Sequence, residues 1–445
     1  MRRTKKNRNR AHKALRFRLY PDDEQKLLIE RTFHGTRKVY NALLENAFIT
    51  YTLTGEYNVL TQAYVKSIPG LEWLKSLDSL ALANAECNLK QAFSNHFKNP
   101  AHFDLPRFKK RKREHQGSYT TNHVNGNIIV QKNALKLPKL GFVDMVRHRP
   151  LPTGYVLKSV TVSRSHSKKY FASILMVSDD IQVDPVEPRS FFGMDFKMNG
   201  LFVGTEDIED FQYPNFIAKH SHRLVKAQRN MSRCVEGSNN WEKSRLRVAR
   251  IHEEIADQRR DHLQKLSTRL ADRYDCIAIE DLNIKAMARR KKDPRFFSFG
   301  KSIANNSWAM FVEMLEYKMR QRGKHLIKVG RRFPSSKLCS VCGTKYKELR
   351  LQDRKWTCPH CHARHDRDHN AAINIRREGI RIFFSDLSDP SNSHERTGGR
   401  REVKPVEKNV RRQFPCSDSS EYCFRRADAD SMKQEKEAPT SAKWE

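Results

Sequence analysis

Two cysteine pairs, Cys339-Ser-Val-Cys342 and Cys358-Pro-His-Cys361, stand fifteen residues apart and constrain this chain more tightly than any other feature. The spacing is that of zinc ribbons, in which each C-x2-C turn wraps its backbone round one side of a tetrahedral ion. Four thiolates fill the coordination shell, so one Zn2+ is expected here as a structural ion with no position left for catalysis. His360, His362 and His365 lie close by and read as bystanders, because the cysteines suffice. The chain has 9 cysteines in 445 residues, too few and too clustered for a disulfide framework. Cys87, Cys234 and Cys276 fall in apolar settings and are expected to be inert buried thiols, while Cys416 and Cys423 belong to a polar tail.

Lysine and arginine number 85 against 51 aspartates and glutamates, a formal net charge of +34 at pH 7 that recurs in most segments. A compact fold with that much self-repulsion calls for a polyanionic partner, and nucleic acid fits because each neutralised phosphate releases condensed counterions. The bland alternative is a merely soluble or ribosomal-type basic protein. Length allows about two to four domains. No apolar run approaches the ~18 residues of a membrane span. Residues 1–10 are basic but lack the apolar stretch of a secretory signal, so a cytoplasmic location is expected, in a prokaryote beside the nucleoid, or in a eukaryote a nuclear one.

Residues 13–20 alternate basic and apolar side chains as a half-buried strand does, and Pro21, Asp22 and Asp23 then open a helical region. From residue 24 to about 98, apolar residues such as Leu28, Val39, Leu43, Leu80, Leu89 and Phe93 recur at helical spacing. A dense basic run over 106–113 follows, and then strand-like runs at 126–131, 134–137, 157–163 and 170–177. These predict a small β-barrel or curved sheet into which the helices are inserted. After a linker at Pro185, Glu187 and Pro188 the pattern changes. A hairpin is expected over 191–196 and 201–205, a helical stretch over 220–274 broken near 237–240, a strand over 276–280, a helix over 303–320 and a strand over 326–329. That alternation is α/β. Beyond about residue 378 order is expected to decay into a disordered tail.

Three acids complete the pattern. Asp195 ends the apolar run FFGMD, Glu280 ends CIAIE with Asp281 beside it, and Asp368 follows Asp366 in HDRDHNAAINI. Each alone reads as a turn or helix-cap residue. Together, with a zinc ribbon before the third, they fit the carboxylates that converge on two divalent ions in phosphodiester hydrolysis, and Mg2+ suits such hard oxygen ligands.

The blocks KALRFRLYPDDEQ, LPKLG, KSVTVSR, GMDF, IAIEDLNIKAM, RFPSSKLCSVCG and WTCPHCHARHDRDHNAAINI resemble the TnpB family of transposon-encoded RNA-guided DNA nucleases, relatives of the type V CRISPR effectors, over roughly residues 11–378. The resemblance implies a multidomain α/β protein. A β-barrel wedge domain would span 1–20 and 105–188, a helical recognition domain 21–104, an RNase H-like RuvC nuclease domain 189–335 and 364–380, the zinc ribbon 336–363 and a tail 381–445. Asp195, Glu280 and Asp368 then take the RuvC catalytic positions, with Asp195 bridging two Mg2+ ions and each other acid completing one shell. The implied partners are a guide RNA and double-stranded target DNA, one protein copy per RNA, with base pairing reading the target and the protein reading a short flanking motif. Lys109, Lys110, Arg111, Lys112, Arg113, Arg289, Arg290, Lys291 and Lys292 are candidate phosphate contacts, and Tyr119 and Thr120 candidate contacts to the flanking motif. Arg367 reads as a solvated side chain, and Asn370 as an aid to orienting Asp368. Two departures from the family pattern are the Phe-Lys-Met-Asn-Gly that follows Asp195 and His362 in place of a glycine. The rival readings are a nuclease-inactive RNA-guided DNA-binding regulator and a strand-transferring transposase.

Overall fold

The computed structural model describes residues 11–110, 117–178, 183–198, 200–206, 213–288, 307–350 and 352–388. Strand β1 (Ala11–Tyr20) buries Leu15, Phe17 and Leu19 on one side and turns Arg16 outward, as its alternation requires. Helix α1 (Asp23–Thr54) starts at a capping box, in which Asp22 accepts from Gln25 N and the Gln25 side chain accepts from Asp22 N. It stops at Gly55, whose φ of 73° is one that glycine adopts without steric cost. Its apolar stripe, Val39, Leu43, Leu44 and Ala47, packs with α2 (Gln62–Ser67) and α3 (Ser79–Lys98), the latter capped by Asp78.

The chain then returns to the sheet through β2 (Gly117–Asn122), β3 (Ile129–Val130), β4 (Ala134–Leu137), β5 (Gly141–Val146), β6 (Val156–Arg164) and β7 (Tyr170–Ser178). Together with β1 these form a seven-stranded sheet in the order β2-β6-β7-β1-β5-β4-β3, with antiparallel pairing throughout. The helices are thus inserted between the first and second strands of the sheet, as expected. Ile29 of α1 and Ala81 of α3 join the sheet's core.

Two strands depart from expectation. The run at 126–131 shrinks to Ile129–Val130, because Asn125 and Gly126 take positive φ and make a turn. Conversely Gly-Ser-Tyr-Thr-Thr-Asn, polar enough to read as surface, is β2, and Tyr119 and Thr121 point inward. Tyr119 is 4% exposed, its ring 5.9 Å from Phe33, and burial pushes its hydroxyl far above the usual tyrosine range. It belongs to the sheet's core, a placement that does not suit the expected contact to a flanking DNA motif. Thr120 faces the other way and shares a hydrogen bond with Thr161 at 2.8 Å.

The second half builds a four-stranded sheet in the order β11-β10-β8-β9 from β8 (Phe191–Phe196), β9 (Phe202–Gly204), β10 (Cys276–Glu280) and β11 (His325–Val329). β10 runs parallel to both neighbours, and β9 closes the hairpin with β8. The helices are α4 (Phe216–Ser232), α5 (Asn239–Arg273), α6 (Ile284–Ala288) and α7 (Trp308–Gln321); the expected helix over 303–320 begins in residues outside those described. Phe192, Met194, Ile277 and Ile279 point to one face, where α5 and α7 cover them with Leu263, Leu266, Leu270, Phe311 and Leu315. Each such burial is worth roughly 1.5–3 kcal/mol. Lys318 of α7, 6% exposed, donates to Gln264 O, Ser267 Oγ and Thr268 Oγ1 of α5 at 2.7–2.8 Å, and burial pulls its ammonium down to about 8.

The chain then forms a 3-10 turn (Ser335–Lys337), the hairpin β12 (Lys355–Thr357) and β13 (Arg364–Asp366), and helix α8 (Arg367–Ser388). The expected loss of order past residue 378 is corrected: α8 runs on to Ser388, since Ile375, Gly379 and Ile382 keep a packed stripe against Ala278 and Val329. Residues 389–445, and with them Cys416 and Cys423, lie outside the described part. Cys87 is also corrected, being exposed on α3, whereas Cys276 is buried. Among the described residues no helix is long and apolar enough to cross a membrane.

Candidate metal and nucleic-acid sites

The thiols of Cys339, Cys342, Cys358 and Cys361 lie within 4.8 Å of one another. Two of the sulfur pairs, Cys339–Cys361 at 3.5 Å and Cys342–Cys358 at 3.7 Å, match the ~3.8 Å edge of a tetrahedron with Zn–S bonds of about 2.3 Å. The two knuckles are near copies. Gly343 N donates to Cys339 O at 2.9 Å and His362 N to Cys358 O at 3.0 Å, while Cys339 N and Cys358 N donate to Thr344 O and Ala363 O. Both turns need a left-handed residue, φ 75° at Gly343 and 55° at His362, so the histidine occupies a position where glycine carries no Cβ strain. His360 and His362 are exposed. His365 is closer: its Nε2 stands 3.1 Å from Cys339 Sγ, and burial holds the imidazole below its usual range.

The three acids meet through packing of small residues. In register, Ala278 lies opposite Gly193 and Ile279 opposite Met194, so Glu280 and Asp195 end neighbouring strands. Gly193 and Ala278 share the face that α8 covers; a Cβ on Gly193 would lie 2.3 Å from Ala372 O, and one on Gly379 would lie 2.4 Å from Ala278 Cβ. Two residues further along each strand, on that same face, come Asp195 and Glu280. One helical turn before Ala372 comes Asp368. The helix cap is made not by Asp368 but by Asp366, whose Oδ1 accepts from Asp368 N at 3.1 Å and His369 N at 3.0 Å.

Burial, then the charges of Glu280 and Asp368, push the Asp195 carboxyl up to about 8, with Arg367 easing it. Ser335 Oγ donates to Glu280 at 2.6 Å, and Arg354 lies 3.3 Å from Asp368. Among the described residues only the cysteines gather three or more ligand atoms within 4.8 Å, so the carboxylates are more widely spread. Hard oxygens with a charge-stressed Asp195 suit a hard divalent ion such as Mg2+. Asn370 is not turned to Asp368. It is 1% exposed, donates to Leu338 O and accepts from Ser340 N. Arg367 is not merely solvated, since its Nη1 donates to Arg350 O at 3.0 Å.

Of the basic candidates, Lys109 stacks its ammonium 3.9 Å from the Tyr40 ring centroid and anchors its N–H on Asn41, while Lys110 is exposed. Both line a cleft of ≈ 1360 Å³ together with Arg16, Arg37, Arg107 and Arg164. None of these four arginines is among the sequence candidates for phosphate contact, although Arg107 lies in the basic run over 106–113 and Arg16 on the outward face of the 13–20 alternation. Arg111, Lys112, Arg113, Arg289, Arg290, Lys291 and Lys292 lie outside the described residues.

Three family matches cover most of this architecture: "Helix-turn-helix domain" over residues 11–56, "Probable transposase" over 173–291 and "Cas12f1-like, TNB domain" over 308–375. The first region is β1 followed by a single long helix. A Streptomyces pristinaespiralis protein named "Putative RNA-guided DNA endonuclease" is 36% identical over 400 residues, 87% of this chain and 94% of that protein. "Putative RNA-guided DNA endonuclease InsQ" of Escherichia coli K12 is 31% identical over 393 residues, 83% and 93% of the two chains. In fold, the chain is similar to the protein in "Cryo-EM structure of the Cas12f1-sgRNA-target DNA complex", with a TM-score of 0.54 at 13% identity over 83% of this chain and 99% of that one.

Proposed function

The chain belongs to the TnpB family, and from that premise we propose that it is an RNA-guided DNA endonuclease cutting double-stranded DNA at a RuvC-type centre of Asp195, Glu280 and Asp368. The observation that carries the reading is the meeting of these acids where the start of α8 crosses the ends of β8 and β10. In this reading the seven-stranded sheet is the wedge barrel, α1–α3 the recognition domain, the four-stranded sheet with α8 the nuclease and the cysteine knuckles its inserted zinc ribbon. The guide RNA and target run over the basic surface, one protein copy per RNA, and location follows the DNA in a prokaryotic cytoplasm.

Two divalent ions held by the acids would supply the charge that activates water and stabilises the leaving oxygen in phosphodiester hydrolysis. Asp195 would hold the ions together with the other two acids; its carboxylate, stressed by burial and by the charges of Glu280 and Asp368, gains most from nearby cations. Glu280 presents the oxygens left by its bond from Ser335, and Asp368 is aimed from the first helical turn, its cap role already taken by Asp366. The four cysteines would hold Zn2+ with a closed shell of sulfurs, in a structural role.

The test is cleavage of a plasmid carrying a target matched to the RNA that co-purifies with the protein. Cleavage in Mg2+ that EDTA and Asp195→Ala abolish is the expected result. Uncut plasmid despite tight binding by the wild type would replace the nuclease with a binding regulator, and joined strands would replace it with a transposase.

A further inference from the structure

Ser335, Asn370, Asn374 and Arg377 lie between the zinc knuckles and the carboxylates without being ligands of either. Ser335, 6% exposed, opens the 3-10 turn after β11, fixes its own N–H on Phe333 O, and gives its hydroxyl proton to Glu280 Oε1 at 2.6 Å. The same turn is gripped from α8. Asn374 Nδ2 donates to Ser335 O and to Leu338 O, each at 2.8 Å. Asn370 donates to Leu338 O at 2.7 Å and accepts from Ser340 N at 2.9 Å, and Arg377 donates to Ser340 O.

Positions 370, 374 and 377 follow the i, i+4, i+7 spacing of one helix face. That face clasps the backbone of residues 335–340, which carries both Ser335 and the zinc ligand Cys339, while Ala372 and Gly379 seat the helix on Gly193 and Ala278. Asn370 and Asn374 are 1% and 5% exposed, and their amides bind backbone groups. Buried amides with their partners met in this way hold one arrangement, because any shift leaves a carbonyl or N–H unpaired.

From this geometry we infer that Ser335 is a positioning residue for Glu280, and that Asn370 and Asn374 pass to it the fold of the first zinc knuckle, so that the ribbon sets the orientation of one nuclease carboxylate. The inference rests on the reading of Glu280 as a ligand for a divalent ion. A hydroxyl has a single proton to give; donated to Oε1, it fixes the plane of the carboxylate and leaves Oε2 to a cation. Without it the glutamate's terminal torsion is broad.

The test uses the full chain loaded with zinc and Mn2+ alone as probe, free ion being read by electron paramagnetic resonance, with zinc content and thermal melting measured on the same samples. Ser335→Ala is expected to retain its zinc and to weaken Mn2+ binding about tenfold, the scale seen when a partner of a metal ligand is removed. Ser335→Thr, which keeps the hydroxyl, restores it. Asn374→Ala is expected to match Ser335→Ala, and the double variant to lose no more, since both act on one contact. Should Asn374→Ala lose zinc, the Ser335→Ala and Ser335→Thr pair decides. Wild-type Mn2+ affinity in Ser335→Ala, with that of Glu280→Gln reduced, overturns the positioning role alone. Wild-type affinity in Glu280→Gln overturns the metal reading of the site and the inference with it.

Discussion

Asp195 shows what a single side chain gives up to stand in this site. Its carboxyl, pushed from 3.8 to about 8 by burial and two neighbouring acids, loses folding free energy as pH climbs from the first value toward the second, because the unfolded chain ionises freely there and the folded chain does not. Asp195→Asn is therefore expected to raise the stability of the protein in EDTA at pH 7.5 by about 2 kcal/mol, after allowance for the water that reaches the group. The gap should narrow at pH 5, and adding Mg2+ should close it from the wild-type side while the variant stays catalytically dead. Melting curves at the two pH values check this; an Asn variant less stable than wild type in EDTA would mean that the acid is satisfied without cations. Such an exchange of stability for function is common at active sites.

Helix α8 is the element on which the site turns. Its approach depends on the missing side chain at Gly193, where a Cβ would meet the backbone oxygen of Ala372 at 2.3 Å, a neighbour that cannot swing aside as a side chain would. Gly193→Ala is expected to destabilise the four-stranded sheet by about 1–3 kcal/mol through overpacking, and to lower Mn2+ affinity because Asp368 rides on the displaced helix. Gly330→Ala is the matched control, since nothing lies within 4 Å of its Cβ position. Equal effects of the two substitutions would show that the close approach is unimportant. The helix was legible as a start and a direction, from Asp366, Asp368 and the apolar spacing of AAINI. Its end was not, because Ile382 looks unremarkable until Ala278 and Val329 are seen to receive it.

At the scale of the whole molecule, the net charge of +34 outweighs any single contact. The cleft lined by Arg16, Arg37, Arg107, Lys109, Lys110 and Arg164 gathers part of that charge between the sheet and α1. Binding of the co-purifying RNA or of duplex DNA should weaken steeply with salt, each phosphate contact contributing about 0.9 to the logarithmic slope on duplex DNA. Lys110→Ala is expected to lower that slope by about one unit without moving the melting temperature. Lys109→Ala should do both, since that ammonium also packs over Tyr40. An unchanged slope in Lys110→Ala removes the cleft from the interface.

The sequence by itself determined the four clustered cysteines, the inserted helices and the α/β alternation, and it picked out three acids at element ends, because each is written in spacings of a few residues: a C-x2-C turn, a strand's period of two, an acid at a strand end. Only the tertiary structure decided that Tyr119 lies in the core and not on a DNA-facing surface, that Asn370 holds the ribbon instead of Asp368, and that Ser335 reaches Glu280 across 55 positions of chain. Those outcomes depend on which faces pack and in what register. A polar side chain has the same local signature whether its partner is water or a backbone group dozens of residues away, and only the packing of α8 over Gly193 and Ala278 chooses between them.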